Sequence, residues 1–227
     1  MFSNSVQKIG LQDENCRKIE TERGKMSEYK LTEGISVDNI SEVHSAYALA
    51  DSNNIRATLS AEEILSFMRK AVRLLEAPLF FFMEVPLSND EEKSIRQSPG
   101  AAFHSQVYYL DNCTHSVIDA IVSRYGDLLI NDGLTKFGFG SHKTSDELYF
   151  MDYQVINIYG QDTDKYAQVL EISGAKKESE LITLWDCLSN DNCGERTAVE
   201  LNGETVYDIV ENLTEVGLYK SDIIEEQ

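Results

Sequence analysis

The sequence predicts an α+β fold in which a mostly antiparallel sheet is covered by helices within a single domain. Two clear amphipathic segments predict helices, and the strands between them lack the regular alternation of a parallel βαβ fold. Two predicted strands, Glu147–Met151 and Gln154–Tyr159, are joined by only a tight turn, which requires antiparallel pairing. The chain has 227 residues, of which 42% are hydrophobic, and is therefore long enough to bury a core.

The first half of the chain predicts two helices. The clearer one covers Ala61–Glu76, where Ser60 and Glu63 have the spacing of a capping box and Pro78 ends the helix. A shorter helix is predicted over Ser41–Asp51. Its apolar residues recur at helical spacing: Val43, Ala46, Tyr47 and Ala50.

The middle of the chain predicts two strands followed by a long helix. The Phe-rich segment Leu79–Leu87 predicts a strand that is buried on both faces, and Ala102–Leu110 predicts a second strand. The helix covers Thr114–Ile130. The sequence Asn131-Asp132-Gly133 predicts its end, with Gly133 in the left-handed conformation.

Shorter elements complete the prediction. Strands are expected over Leu134–Gly140 and Leu181–Trp185, and a helix is expected over Asp164–Glu171. The dipeptide Asn202-Gly203 predicts a turn. A final helix is predicted over Glu204–Glu215, because apolar residues recur there every three or four positions: Val206, Ile209, Val210 and Leu213.

Residues 1–25 differ from the domain predicted over residues 26–227. They show almost no apolar periodicity, so we expect a disordered arm or, alternatively, a mis-called start. In the second case Met26 opens the chain. The preceding residues, Glu22-Arg23-Gly24-Lys25, can be encoded by codons containing AGAGGT, which looks like a bacterial ribosome-binding site.

The formal net charge is −19 and is concentrated in residues 178–227, where the only basic residues are Arg196 and Lys220. Such a field favours cationic partners and opposes nucleic acids and anionic membranes. The sequence has no apolar run of membrane-spanning length and no secretory signal, which predicts a cytoplasmic protein. The four scattered cysteines predict reduced thiols.

Cys113 suggests one catalytic alternative, a hydrolase or a transferase. It lies near the start of a predicted helix, where the helix dipole lowers a thiol pKa, and His104 or His142 could serve as the base. The sequence contains neither a CxxC nor an HExxH motif. We therefore predict no metal site and no cofactor.

The leading prediction is an acidic module that binds and neutralises a basic protein, without enzymatic activity. The predicted partner-binding residues lie mostly on the exposed side of the final helix: Tyr207, Asp208, Glu211, Glu215 and, before it, Asp186. Acidic side chains steer a cationic partner, and tyrosine is a frequent contact residue. A further alternative is an acidic housekeeping domain in which the excess charge serves solubility.

In size and charge the chain is similar in character to the immunity proteins of bacterial toxin systems. Those proteins are small and acidic, and they often pair with cationic nuclease toxins. The likeness is one of type and is carried by no motif. It implies a basic toxin as the partner.

Overall fold

A computed structural model describes residues 28–96, 98 and 100–226. The strands are β1 (Ile35–Ser36), β2 (Ala46–Asp51), β3 (Asn54–Thr58), β4 (Leu79–Pro86), β5 (His104–Cys113), β6 (Lys136–Ser141), β7 (Glu147–Phe150), β8 (Val155–Tyr159), β9 (Lys176–Lys177), β10 (Glu195–Arg196) and β11 (Tyr219–Glu225). The helices are α1 (Ala61–Ala71), α2 (Asn89–Ile95), α3 (His115–Asn131), α4 (Asp164–Ile172) and α5 (Val206–Thr214). Short 3₁₀ turns cover Val72–Leu74, Asp152–Gln154 and Leu184–Cys187.

Nine of these strands form one sheet in the order β11-β5-β4-β6-β7-β8-β3-β2-β9. Every neighbouring pair is antiparallel except β2 and β9, which are parallel. Strands β1 and β10 form a separate two-stranded sheet. The predicted α+β class, with a mostly antiparallel sheet, is confirmed. The prediction for residues 1–25 falls outside the described residues.

One face of the large sheet carries the main core. Buried side chains of α1, α3, α4 and α5 share a single apolar cluster with every second residue of the central strands, among them Phe81, Phe139, Leu148 and Ile158. Because successive strand residues point to opposite faces, this contact places the four helices in one layer. The other face of the sheet carries a different set of side chains.

A smaller apolar cluster lies outside the main core. It joins the segment after Glu28 to the 3₁₀ turns of the second half of the chain, through Tyr29, Ile35, Val37, Val43, Tyr153 and Leu184. The buried Gln154 amide links the parts, since its Nε2 donates to the carbonyls of Leu59 (2.8 Å) and Lys30 (3.1 Å).

Two predicted elements have the wrong type. The segment predicted as a helix over Ser41–Asp51 contains strand β2, because pairing with β3 and β9 on its two sides outweighs its helical spacing. The segment predicted as a strand over Leu181–Trp185 leads instead into the 3₁₀ turn Leu184–Cys187.

Two predicted helix-end details also differ. Ser60 begins α1 but makes no cap hydrogen bond, because its Oγ accepts from Lys30 N (3.0 Å) and Glu63 binds Ser45. Gly133 does not have a positive φ. A Cβ on Gly133 would lie 2.0 Å from the Gly34 carbonyl oxygen, so glycine is needed there for close packing.

Candidate functional site

A row of aromatic side chains crosses the sheet on the face opposite the helices. Tyr219 of β11 lies opposite Tyr109 of β5, which lies opposite Phe82 of β4. Phe82 in turn lies opposite Gly138 of β6, which lies opposite Tyr149 of β7. Cross-strand partners share one face of a sheet, so these positions form a continuous line over five strands. We call Phe80, Phe82, Tyr109, Tyr149 and Tyr219 the aromatic face.

The rings of the aromatic face contact one another. The Phe82 ring centroid lies 5.7 Å from that of Tyr109 and 5.3 Å from that of Tyr149. Tyr219 extends the row at 6.4 Å from Tyr109, and Phe80 lies 6.2 Å from Phe82. These separations fall within the range of favourable aromatic pairs. The rings therefore pack against one another, and Phe82 is only 5% exposed.

Two glycines of β6 make room for the phenylalanine rings. A Cβ on Gly138 would lie 2.3 Å from Phe82 Cε1 and 2.5 Å from the Leu148 carbonyl oxygen. A Cβ on Gly140 would lie 2.1 Å from Phe80 Cζ. Glycine in a strand often marks a close approach of this kind, and here it lets the rings of β4 lie across β6.

Replacing Gly138 with alanine should therefore destabilise the fold. The new methyl group meets a backbone carbonyl that cannot rotate away, and overpacking of this kind costs about 1–3 kcal/mol. Gly100→Ala is the matched control, because a Cβ on Gly100 meets nothing within 4 Å. Chemical denaturation of the two variants measures the difference, and equal stability would contradict the packing described here.

Carboxylates border the aromatic face. The Tyr149 hydroxyl donates to Glu84 Oε1 (2.6 Å), and the Tyr219 hydroxyl donates to Asp111 Oδ2 (2.5 Å). Burial raises the pKa of Tyr109, and the nearby charges of Glu147, Glu84, Asp111 and Asp222 raise it further. One phenol in the middle of the row therefore senses four acidic side chains. This density of negative charge around aromatic rings is the main chemical property of the surface.

The basic side chains near the aromatic face are mostly paired with carboxylates or lie away from the rings. Lys136 Nζ lies between two carboxylates, 3.7 Å from Glu84 and 3.4 Å from Asp152. His142 Nε2 lies 2.8 Å from Asp111 Oδ1, and its ring centroid lies 4.9 Å from that of Phe80. Arg56 is exposed and lies on the same face, but its neighbour across the strands is Asn157 rather than an aromatic ring.

The structure places three of the predicted partner-binding residues on α5, in the helix layer, and a fourth, Glu215, directly after it. Glu211 and Glu215 are exposed, as expected. Asp208 is committed to the helix start, since its carboxylate accepts from Thr205 N (2.7 Å) and Oγ1 (2.8 Å), and these bonds lower its pKa. The Tyr207 hydroxyl donates to the Pro86 carbonyl (3.1 Å). Glu211 on α5 and Glu215 directly after it are therefore the exposed acids of this group.

Asp186 lies on a different element from the other four residues. It belongs to the 3₁₀ turn Leu184–Cys187, where its carboxylate accepts from Thr183 N (2.7 Å) and Oγ1 (2.9 Å). The backbone hydrogen bond is the main cause that lowers its pKa, and Arg56 lowers it further. The structure thus gives Asp186 a local capping role beside the smaller apolar cluster.

The structure separates one of the two candidate histidines, His104, from Cys113 along the sheet. His104 and Cys113 are the two ends of β5, and a strand of that length spans about 30 Å. The Cys113 thiol is buried and bonds to the Leu110 carbonyl oxygen (3.3 Å). Burial raises the pKa of Cys113 to about 11, so the thiol and not the thiolate is populated near neutral pH. His142, as described above, bonds to Asp111.

Within residues 28–96, 98 and 100–226, no three His, Cys, Asp or Glu side chains are grouped closely enough to hold a metal ion. Across the same residues, no helix has the length and hydropathy to cross a membrane. Comparisons with protein-family models, curated proteins and solved structures found no match to this chain. The geometry of the surface is therefore the basis for inferring a function.

Proposed function

We propose that this protein is an acidic binding module that captures and neutralises a basic protein on its aromatic face. The observation that carries the proposal is the row of rings across five strands, bordered by four carboxylates. The proposal moves the contact surface from α5 to the opposite side of the sheet. The acids Glu211 and Glu215 then contribute to the long-range field rather than to the contact itself.

Aromatic residues supply the contact area that such an interface needs. Tyr219 is 48% exposed, and the side chains of Tyr109 and Tyr149 are partly exposed. Tyrosine is enriched among the residues that dominate binding energy, because its rigid ring buries a large area at a small cost in entropy. The glycines beneath the phenylalanine rings hold the surface in one arrangement, so little ordering is required on binding.

The charges favour a basic partner. An arginine or lysine side chain gains from lying over an aromatic ring and from pairing with a carboxylate, and this face offers both within one surface. The net charge of −19 adds long-range attraction that accelerates encounters with a basic protein. A cationic toxin is one partner of this class, in keeping with the similarity in character to immunity proteins.

The proposal predicts different effects for two exposed acids. Asp222→Lys reverses a charge beside the aromatic face, whereas Glu211→Lys makes the same change on α5 and is the matched control. We expect the first variant to slow association several-fold more than the control at low salt. A third variant, Tyr219→Ala, should mainly speed dissociation, and loss of a dominant contact of about 2 kcal/mol weakens binding roughly 30-fold.

The measurement starts from a basic protein captured from a lysate of the source organism at low salt. That protein is then purified, and its association and dissociation rates are measured against all variants at several salt concentrations. If Glu211→Lys slows association and Asp222→Lys does not, the partner binds α5 and the proposed surface is wrong. If no basic protein is retained at any salt concentration, the excess acid serves solubility and the proposed function fails.

A further inference from the structure

Apart from the aromatic face, the structure has a concave region where the ends of β4 and β5 meet α5 and β10. Its cavity has a volume of about 780 Å³, which lies within the range of small-molecule sites. The side chains that give it chemical character are three aromatic residues and three polar ones: Phe103, Tyr153, Tyr207, His104, Arg196 and Glu226. The cavity shares none of these residues with the aromatic face.

His104 lines this cavity and pairs with Glu92. The Glu92 carboxylate accepts from His104 N (2.5 Å) and lies 3.2 Å from His104 Nδ1. An ionised carboxylate can only accept, so the His104 Nδ1–H donates to Glu92. Both side chains are largely buried, with exposures of 13% for His104 and 8% for Glu92, and this pairing holds the ring in place.

Two other polar side chains of the cavity, Tyr207 and Glu226, offer hydrogen-bond acceptors. The Tyr207 hydroxyl uses its proton on Pro86, which leaves its oxygen lone pairs available. Glu226 accepts from Ser105 Oγ (3.2 Å) and lies 3.5 Å from an Arg196 nitrogen. Arg196 also pairs with Asp152, so its charge is already balanced by two carboxylates.

Guanidinium groups already lie over aromatic rings at this site. The Arg96 Cζ atom is 4.0 Å from the centroid of the Phe103 ring, and the Arg196 Cζ atom is 5.9 Å from that of Tyr153. Phe103 and Tyr207 remain about half exposed, at 54% and 49%. The rings thus have further surface available for a planar cation.

We infer that this cavity binds an organic cation with a guanidinium head. Such a head carries several N–H donors in one plane, and it matches the acceptors of Tyr207 and Glu226 as well as the aromatic walls. The same head group occurs in free small molecules and in arginine side chains of proteins. The inference does not depend on the aromatic face, so Asp222→Lys should leave this binding unchanged.

The test compares charged and neutral ligands of the same shape. Blocked arginine (N-acetyl, N-methylamide) is titrated against the full chain by calorimetry at low salt, and the blocked citrulline analogue serves as the neutral control. We expect saturable binding of the arginine compound and at least tenfold weaker binding of the citrulline compound. Equal binding of both compounds, or saturation by neither, would overturn the inference.

Protein variants locate the binding in this cavity. Glu226→Gln removes one charge without changing the shape of the side chain, and we expect about a tenfold loss of affinity for the arginine compound. Glu211→Gln removes a charge outside the cavity and should bind as the wild type does. Unchanged binding by Glu226→Gln would contradict the assignment. If that variant melts abnormally, Tyr207→Ala is used in its place. It removes a half-exposed ring, and we again expect a loss of affinity for the arginine compound.

A further pair of ligands identifies the source of the cation. Agmatine represents a free guanidinium compound, and the peptide Gly-Arg-Gly represents an arginine side chain. Tighter binding of agmatine assigns the cavity to a small molecule, and tighter binding of the peptide assigns it to a protein. Either result supports a guanidinium site. The inference is overturned if agmatine and the peptide both bind no more tightly than the citrulline compound.

Discussion

Asp146→Ala should lower the free energy of unfolding by about 3 kcal/mol, because it removes the acceptor for two partners in the protein interior. Asp146 is 2% exposed, and its Oδ2 atom accepts from Lys165 Nζ (2.6 Å) and from the Tyr166 hydroxyl (2.9 Å). Tyr166 is fully buried, so its hydroxyl has no access to solvent once the carboxylate is gone. For a protein of this size, the melting temperature should fall by about 6–12 °C.

A second substitution tests the cause of that loss. In the double variant Asp146→Ala with Tyr166→Phe, the unsatisfied hydroxyl is also removed, and we expect part of the stability to return. Asp119→Ala is the surface control, since Asp119 is an exposed partner of Arg73 at 3.7 Å. A double variant no more stable than Asp146→Ala alone would show that the buried hydroxyl is not the source of the cost.

Lys136→Met should also destabilise the protein by about 3 kcal/mol, because it leaves the buried Glu84 carboxylate without its cation and leaves Asp152 paired with Arg196 alone. Lys136 is 13% exposed, and its partners Glu84 and Asp152 are 11% and 7% exposed. One oxygen of Glu84 has no hydrogen-bond partner, so the ammonium group is its main compensation. Denaturant titration of the wild type and the variant measures the loss.

Lys143→Met is the matched control for this prediction. Lys143 pairs with Glu76 at 2.6 Å, but the two side chains are 63% and 53% exposed. Exposed pairs contribute little to stability, so the control should be close to the wild type. Similar losses for the two lysine variants would show that burial does not set the strength of the Lys136 cluster.

The sequence predicted those elements whose signal is local. Helix α3 was expected over Thr114–Ile130 and covers His115–Asn131, because a long apolar stripe with turn residues after it specifies a helix without reference to other segments. Strand β4 was expected over Leu79–Leu87 for a similar reason, since Pro78 precedes a strongly apolar run. In both cases the differences are limited to the element ends.

Elements specified by pairing were harder to predict. In β2, Tyr47 and Leu49 alternate with Ala46 and Ala48, yet Ala46, Tyr47 and Ala50 also match a helical period. The partners β3 and β9 decide between the two, and a single sequence does not reveal them. Strand β11 is acidic and mostly exposed, so it lacks the apolar alternation that predicts a strand.

The aromatic face was missed because its members come from four different strands. Phe80 and Phe82 lie within a continuous apolar run that is typical of a strand buried on both faces. Gly138 and Gly140 are two residues apart, as are Phe80 and Phe82. This matching spacing was the signal in the sequence that pointed to the aromatic face. It becomes meaningful only when the register places β4 beside β6. The acids of α5 were more visible in sequence, since they lie on one helix.

Strand β11 is an edge strand that pairs with β5 along one side and contains an irregularity between Lys220 and Ile223. Edge strands with few buried side chains open at a small free-energy cost compared with the whole domain. Tyr219 and Asp222 of this strand belong to one surface, while Glu226, directly after it, belongs to the cavity. A single local opening would therefore dismantle both regions together, and a molecule that holds the strand closed at one region protects the other.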